Sequence, residues 1–237
     1  MIAALAFLTP LGRAREPDRT TFDWFPVVGA LLGAAVGLVW WGAHEVWSPL
    51  VAATVAVATD VALTGALHVD GLADTADGVL PHLERDRRLA VMAEPDVGAF
   101  GVTAVVLTLG LRVTVLASLT PDVALVAALW CASRTLMAVV ARSVPYARTE
   151  GGLAAAFLGR PPLTVGLLGA ALAAGLAVVG DAGVVRTAAG VVGVCAAGAA
   201  VVAVARRRLG GFTGDVLGAA GVVGETVGLL VVAARWS

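Results

Sequence analysis

Three aspartates, Asp70, Asp74 and Asp77, lie in the segment TGALHVDGLADTADG at 64–78, between two apolar stretches. If this segment is helical, a rotation of about 100° per residue places the three carboxylates within an arc of about 60°. Like charges on one helix face repel each other, and a divalent cation between them would remove that repulsion. Mg²⁺ takes oxygen ligands, typically a few carboxylates together with substrate phosphates and water. The spacing therefore predicts a magnesium site held by these residues, and a solvated acidic helix face is the alternative.

His68 precedes the acidic stretch by two positions. A histidine at this place could act as a general base toward a hydroxyl group or hydrogen-bond a phosphate oxygen. It could also pack in the interior and satisfy a backbone carbonyl. We favour the functional interpretation because of the neighbouring carboxylates, and we count His68 among the candidate catalytic residues.

Three further polar segments combine charged residues with glycine. They are MAEPDVGAFG at 92–101, PYARTEGG at 145–152 and GGFTGDVLGA at 210–219. Carboxylates hold metal ions, arginines bind phosphate through two parallel hydrogen bonds, and glycines let phosphate approach backbone N–H groups. In the last segment, Asp215 is either an active-site carboxylate or an ordinary helix N-cap. The combination predicts phosphoryl transfer, in which a protein mainly positions groups and neutralises charge.

The composition excludes a water-soluble globule. Hydrophobic residues make up 59% of the 237 residues and charged residues 14%, against about 45–50% and 25% in ordinary soluble domains. The net charge of −1 gives no reason to expect nucleic acid as a partner. We expect one membrane-embedded domain over residues 1–237, in which Cys131 and Cys195 are buried and unpaired.

Seven stretches are long and apolar enough for a helix to cross a bilayer core, which requires about 20 residues. They are 25–42, 49–67, 99–119, 123–141, 163–180, 184–205 and 215–234. Glycine and alanine are frequent in them, and small residues let membrane helices pack closely. We therefore predict an all-α, polytopic bundle of about seven transmembrane helices. Residues 1–12 are too few to span, so we expect them to form an interfacial or packed segment.

All sixteen basic residues are arginines, and most of them lie in alternate connections. They occur before the first span (13–19) and in the connections that contain 85–88, 142–160 and 206–208. With seven spans these four segments lie on one side of the membrane, which the positive-inside rule makes cytoplasmic. We thus expect a multi-pass protein of the inner (cytoplasmic) cell membrane, with its N-terminus and its active site facing the cytoplasm.

A second group of charges lies inside the spans. In a straight last helix, Glu225 would lie near the middle of the membrane, where an unpaired charge is costly. Its expected partners are Arg112 and Arg134, which are also embedded. A buried ion pair and a charge that lines a cavity are both compatible with this pattern.

The polar segments, in this order and at these intervals, closely resemble the cobalamin synthase family of adenosylcobinamide-GDP ribazoletransferases. The most specific strings are His-x-Asp-Gly-Leu-Ala-Asp-x-x-Asp-Gly at 68–78 and Gly-Gly-x-Thr-Gly-Asp-x-Leu-Gly-Ala at 210–219. FPVVGALLG at 25–33 matches the start of the family's first span, and the similarity covers essentially the whole chain. One departure is Asp96, which stands where the family usually has arginine. A phosphate contact made by that arginine is not carried over to this chain.

The resemblance implies a Mg²⁺-dependent transferase that joins adenosylcobinamide-GDP to α-ribazole, or to its 5′-phosphate, and releases GMP. This reaction is the last step in assembling the nucleotide loop of adenosylcobalamin. The implied site consists of the metal ligands Asp70, Asp74, Asp77 and Glu94, the catalytic residues His68 and Asp215, and the substrate- or phosphate-binding residues Arg134, Arg148, Glu150, Thr213 and Gly214. The resemblance does not decide whether the protein forms a homo-oligomer.

Two other functions compete with this interpretation. A CDP-alcohol phosphotransferase also places aspartates and glycines at a membrane interface, but its signature has an Ala-Arg pair after the first Asp-Gly. Here Ala73 is followed by Asp74, so the match fails and the likeness is one of chemistry alone. A corrinoid or cation transporter would place polar residues at the bilayer midplane on broken helices, whereas this chain concentrates them at one face.

Overall fold

The computed structural model describes residues 1–10, 20–148 and 161–235. Within these ranges the chain is helical, and its one β-type contact is an isolated bridge between Tyr146 and Phe212. The helices are α1 (Ile2–Leu8), α2 (Phe25–His44), α3 (Pro49–Leu63), α4 (Leu67–Val79), α5 (Arg85–Val91), α6 (Ala99–Ser118), α7 (Val123–Ser143), α8 (Pro162–Val179), α9 (Val184–Leu209) and α10 (Gly214–Ala233), and a short 3-10 helix (Thr21–Trp24) precedes α2. The prediction of an all-α chain is confirmed.

Six helices in the described ranges are long and apolar enough to cross a membrane, namely α2, α6, α7, α8, α9 and α10. The seventh candidate is α3, which passes the same test only together with α4, to which it is joined through a bend of 87°. α4 alone is about 20 Å long and carries three carboxylates, so it lies outside the membrane-spanning segments. The length and composition of the helices confirm the prediction of about seven transmembrane helices.

The second predicted span, 49–67, ends earlier than expected. α3 stops at Leu63, and the next residues include Gly65 and Ala66, which have φ values of +57° and +60°. Glycine adopts this left-handed conformation freely, whereas alanine pays about 1–2 kcal/mol for it. The two residues turn the chain out of the direction of α3. The acidic segment therefore begins a separate helix instead of continuing the span.

α7 and α10 form the centre of the bundle. In each of them 72% of the apolar stretch is buried, compared with 22% in α6 and α8 and 28% in α9. Small residues permit close packing around this centre, as predicted: a Cβ at Gly33 of α2 would stand 2.6 Å from the Val126 carbonyl oxygen of α7. Cys131 on α7 is buried, but Cys195 is exposed. The expectation of burial is wrong for Cys195 because α9 is a peripheral helix.

The N-terminal segment packs against the bundle, as expected for a stretch too short to span. Ala4 and Leu8 of α1 are buried. The Phe7 ring lies 5.8 Å from the Phe22 ring and 5.7 Å from the Phe25 ring, measured between centroids. α1 is thereby attached to the start of α2.

The described connections that contain Arg85, Arg148 and Arg208 meet at one end of the bundle. Arg85 donates to the carbonyl oxygens of Leu209 (2.8 Å) and Ala147 (2.9 Å), and Arg208 donates to that of Val79 (3.0 Å). These contacts join α5, the end of α9, the segment after α7 and the end of α4. The described part of the chain thus has the asymmetric charge distribution that the sequence predicts.

Candidate active site at the crossing of α4 and α10

α4 and α10 cross at two glycines. A Cβ at Gly71 would stand 2.8 Å from the carbonyl oxygen of Asp215, and a Cβ at Gly218 would stand 3.2 Å from the Cα of His68. The two backbones are therefore in direct contact. This contact brings the first turn of α10 beside the acidic face of α4, and so joins the two most specific strings of the sequence.

Asp215 lies in the first turn of α10 with its side chain 27% exposed. Its Oδ2 accepts hydrogen bonds from Thr213 Oγ1 at 3.1 Å and from Arg148 Nη2 at 3.4 Å. The N-cap of α10 is Thr213, whose Oγ1 accepts from the Val216 N–H. The capping role considered for Asp215 thus belongs to Thr213, and the Asp215 carboxylate remains accessible to a ligand.

A short backbone pairing between residues 145–147 and Phe212 places Arg148 beside Asp215. The Ala147 N–H donates to the Phe212 carbonyl at 2.8 Å, and the Phe212 N–H donates to the Pro145 carbonyl at 3.0 Å. The Arg148 side chain is 36% exposed. Its guanidinium therefore lies at the open side of the site, within reach of an incoming phosphate group.

The acidic face of α4 is graded in burial: Asp70 is exposed, Asp74 is half-buried and Asp77 is buried. Burial, followed by the negative charges of Asp70, Asp215 and Asp77, raises the pKa of Asp74 to about 6, and Arg148 partly opposes this shift. Neighbouring carboxylates raise a pKa in this way because each disfavours ionisation of the other. The structure thus brings Asp70, Asp74 and Asp215 into one negative cluster, with Arg148 beside it.

Asp77 has a different environment from the other two aspartates on this face. Its carboxylate oxygens accept hydrogen bonds from the N–H groups of Gly98 (2.7 Å) and Gly101 (2.9 Å). These N–H groups belong to the first turn of α6, so Asp77 caps that helix from another part of the chain. The observed contacts give Asp77 a positioning role, and its predicted role as a metal ligand stays a prediction.

Glu94 and Glu150 also belong to the predicted site. Glu94 forms an exposed ion pair with Arg87 at 2.8 Å, a partner outside the carboxylate cluster. Glu150 lies outside the described residues. Their predicted roles stay predictions.

His68 and Arg134 occupy the interior beneath the cluster. Arg134 is 1% exposed; it pairs with Glu225 and donates to Ser133 Oγ at 2.8 Å. Its Nη2 lies 3.5 Å from His68 Nδ1. Burial, followed by Arg134 and Arg112, holds the pKa of His68 well below its usual range, so the ring is neutral. The structure therefore places Arg134 behind His68, where its bonds go to protein groups, and leaves Arg148 as the accessible arginine.

A buried charge network continues from Arg134 through the bundle. Glu225 also pairs with Arg112 at 3.0 Å, and Arg112 pairs with Asp60 at 2.6 Å. Trp130 Nε1 donates to the second oxygen of Asp60 at 2.8 Å. The expected pairing of Glu225 with Arg112 and Arg134 is confirmed. The network contains two acids and two arginines, so it carries no net charge, and it ties α3, α6, α7 and α10 together.

Arg88 is a positioning residue that the sequence pattern does not single out. Its Nη1 donates to the carbonyl oxygens of Gly78 (2.9 Å) and Val79 (2.8 Å) at the end of α4. Cations satisfy and stabilise the carbonyl end of a helix. The RDRR string of α5 is informative only about membrane orientation, because nothing in it shows which helix end it contacts.

The donor set of the cluster fits a magnesium ion. Within residues 1–10, 20–148 and 161–235, no group of three or more His, Cys, Asp or Glu side chains is arranged to hold a metal ion. Mg²⁺ bound with phosphates usually takes only one or two protein carboxylates and fills its remaining positions with phosphate oxygens and water. One or two of the carboxylates of Asp70, Asp74 and Asp215, together with phosphate oxygens and water, would therefore suit the ion.

The fold and the site define a class of protein: a multi-pass helical membrane protein with carboxylates and an arginine assembled at one end of the bundle. The family model described as cobalamin-5-phosphate synthase matches residues 1–233. The chain belongs to this family, which confirms the resemblance based on the motifs.

Three curated relatives are named adenosylcobinamide-GDP ribazoletransferase. The relative from Bradyrhizobium diazoefficiens is 39% identical over 98% of this chain and 91% of its own length. The relative from Chlorobaculum parvum is 36% identical over 100% of this chain and 95% of its own length. The relative from Escherichia coli is 36% identical over 87% of this chain and 84% of its own length. No solved structure matches the chain. The protein is accordingly a transferase of a cobalamin biosynthesis family.

Proposed function

We propose that the protein joins adenosylcobinamide-GDP and α-ribazole, or α-ribazole 5′-phosphate, to give adenosylcobalamin, or its 5′-phosphate, and GMP. The observation that carries the proposal is the α4–α10 crossing, which gathers the carboxylates of Asp70, Asp74 and Asp215 beside Arg148. A pyrophosphate is the substrate group that such a cluster suits, because its reaction requires positioning and charge neutralisation. Relatives named for this reaction match almost the whole chain.

In the proposed reaction, the oxygen of a secondary ribose hydroxyl of α-ribazole, which is free in the 5′-phosphate form as well, attacks the phosphorus bonded to cobinamide. The bond from this phosphorus to the bridging oxygen breaks, and GMP leaves with that oxygen. The hydroxyl proton passes to water or to a nearby carboxylate. Bound Mg²⁺, held by one or two of the carboxylates of Asp70, Asp74 and Asp215, would neutralise pyrophosphate charge.

Phosphate oxygens have two further partners in this scheme. Arg148 would bind them through parallel N–H groups. The N-terminus of α10 offers free backbone N–H groups, and a Cβ at Gly214 would meet nothing within 4 Å. There is thus open space for a phosphate beside Gly214, which supports the assignment of this residue to phosphate binding. Thr213 is buried and its hydroxyl caps α10, so its predicted role in phosphate binding stays a prediction.

We assign His68 to hydrogen bonding with the substrate. Arginine can only donate, so the contact between Arg134 Nη2 and His68 Nδ1 requires Nδ1 to be the acceptor. The proton of the neutral ring then lies on Nε2. His68 would therefore present an N–H group to an acceptor or phosphate oxygen, which favours this role over that of general base.

We further propose that the site faces the cytoplasm from the inner membrane. The arginines at the site end of the bundle, among them Arg85 and Arg208, support this orientation through the positive-inside rule. The phosphorylated substrates are polar and would reach the site from that aqueous side.

The purified full-length protein in lipid nanodiscs tests the function directly. With adenosylcobinamide-GDP and α-ribazole, it should release GMP and form adenosylcobalamin in equal amounts, and EDTA should stop both. The proposal would be contradicted by GMP release without a ribazole-containing corrinoid, or by an unchanged rate in EDTA.

A further inference from the structure

A small pocket lies directly beside the carboxylate cluster, between α1, α2, α4, α7 and α10. Its volume is about 110 Å³. His68 and Asp215 form its polar edge, and its apolar walls include Phe7, Phe25, Leu67 and Leu217. We call this space the Phe7 pocket. It opens at the site, so a group bound in it would be adjacent to the reacting atoms.

The walls of the Phe7 pocket are held in place by packing. Phe25 and Leu217 are buried, and the Phe22 ring lies 4.7 Å from the Phe25 ring and 5.8 Å from the Phe7 ring. Aromatic clusters of this kind are stiff and contribute about 0.5–1.5 kcal/mol per pair beyond burial. The pocket is therefore a preformed space for an apolar group.

The size and polarity of the pocket select among the parts of the two substrates. At about 110 Å³ the pocket is smaller than the apolar cavity of about 150 Å³ that encloses benzene, so it can take the apolar edge of an aromatic group that projects from the site, and it is far too small for a corrin. Guanine carries donors and acceptors around its edge, and their burial without partners would be costly. Among the described residues that line the pocket, those with polar side chains are His68 and Asp215. A benzimidazole, with apolar faces and few polar atoms, fits these walls better.

We propose that the Phe7 pocket binds the aromatic base of α-ribazole. The inference rests on the proposed function and extends it, since it names the part of the chain that recognises the acceptor nucleoside. A base seated between Phe7 and Leu217 directs its ribose toward Asp215 and His68. The N-terminal helix α1 is then a wall of the active site, although residues 1–12 indicate only a packed segment when read alone.

A larger cavity of about 410 Å³ does not compete for this role. Its walls include Leu72 and Ala76 of α4 together with Ala104 and Val201. On α4 these residues lie on the face opposite to Asp70 and Asp74. A base bound there would be separated from the carboxylates by the helix itself.

Leu67→Trp narrows the Phe7 pocket with little risk to folding, because Leu67 is 49% exposed. Leu80→Trp is the matched control: it makes the same change at the other end of α4, at a residue that is 52% exposed and lines a different cavity. We expect Leu67→Trp to raise KM for α-ribazole at least about tenfold, the usual scale for loss of fit in an apolar pocket. KM for adenosylcobinamide-GDP should stay within about twofold, and the control should change neither value.

Equilibrium dialysis of α-ribazole alone separates this inference from the proposed function. If the wild-type protein binds α-ribazole but forms no product, the proposed function fails; the pocket assignment stands if Leu67→Trp abolishes that binding. The assignment is overturned if Leu67→Trp binds and uses α-ribazole normally, or if both KM values rise together. It is equally overturned if the Leu80→Trp control behaves like Leu67→Trp, or if the wild-type protein does not bind α-ribazole.

Discussion

Gly71 of α4 touches Asp215 of α10 through the main chain: a Cβ at Gly71 would stand only 2.8 Å from the Asp215 carbonyl oxygen and 2.9 Å from its Cα. This contact joins two segments more than one hundred residues apart in the chain. It sets the distance between the carboxylates of Asp74 and Asp215, and so determines whether one ion or one phosphate group can reach both.

Gly71→Ala should push the two helices apart and reduce GMP release at least about tenfold. Overpacking of this kind costs about 1–3 kcal/mol, and displacement of catalytic groups by 1 Å can cost about a hundredfold in rate. Gly110→Ala is the control, since a Cβ at Gly110 of α6 would meet nothing within 4 Å. Turnover assays on both variants in nanodiscs check the prediction. Equal rates would show that the crossing does not position the site.

Asp77→Asn should lower stability more than it changes the magnesium requirement. The substitution weakens the cap that Asp77 provides to Gly98 and Gly101, and loss of a cap costs about 1–2 kcal/mol. Thermal unfolding in detergent measures the effect, with Asp86→Asn as an exposed control that should stay within about 0.5 kcal/mol. A normal melting temperature together with a greatly raised Mg²⁺ requirement would reverse the assignment and make Asp77 a ligand.

Arg148→Lys should raise KM for adenosylcobinamide-GDP about tenfold, because lysine cannot provide two parallel N–H donors to phosphate. KM for α-ribazole should change little. Arg87→Lys changes an arginine that is exposed and paired with Glu94, and should leave both values near those of the wild type. An unaffected Arg148→Lys enzyme would remove this residue from phosphate binding.

Glu225→Gln should destabilise the protein strongly. The carboxylate pairs with both Arg112 and Arg134, and removing one partner from a buried ion network costs about 3–5 kcal/mol. Thermal unfolding of Glu225→Gln and of the exposed control Glu45→Gln gives the comparison. If the two variants have the same melting temperature, the network contributes little to the stability of the bundle.

Much of the architecture follows from the sequence because its signals are local. Spans of about 20 apolar residues, alternate arginines and the spacing of Asp70, Asp74 and Asp77 depend only on helix geometry and hydropathy. The partners of Glu225 were predictable for a related reason. A carboxylate embedded in the membrane needs a cation beside it, and the predicted spans contain few arginines.

The remaining features depend on contacts that spacing cannot show. Asp77 shares a helix face with Asp74, yet it caps α6 because the fold brings Gly98 and Gly101 to it. The bend after α3 relies on a left-handed alanine, Ala66, which no local rule favours. The sequence allows Arg134 both to pair with Glu225 and to bind phosphate, and only the fold shows that its side chain bonds to Glu225 and Ser133.

A magnesium titration of GMP release by the wild type and by Asp74→Asn tests the central claim most directly. Asp74→Asn should need at least about tenfold more Mg²⁺ than the wild type for its half-maximal rate, since even outer-shell partners of a metal contribute this much to affinity. Its rate at saturating Mg²⁺ should also fall. A variant with the wild-type rate and the wild-type Mg²⁺ requirement would contradict the assignment of a metal-assisted transfer site to the α4–α10 crossing.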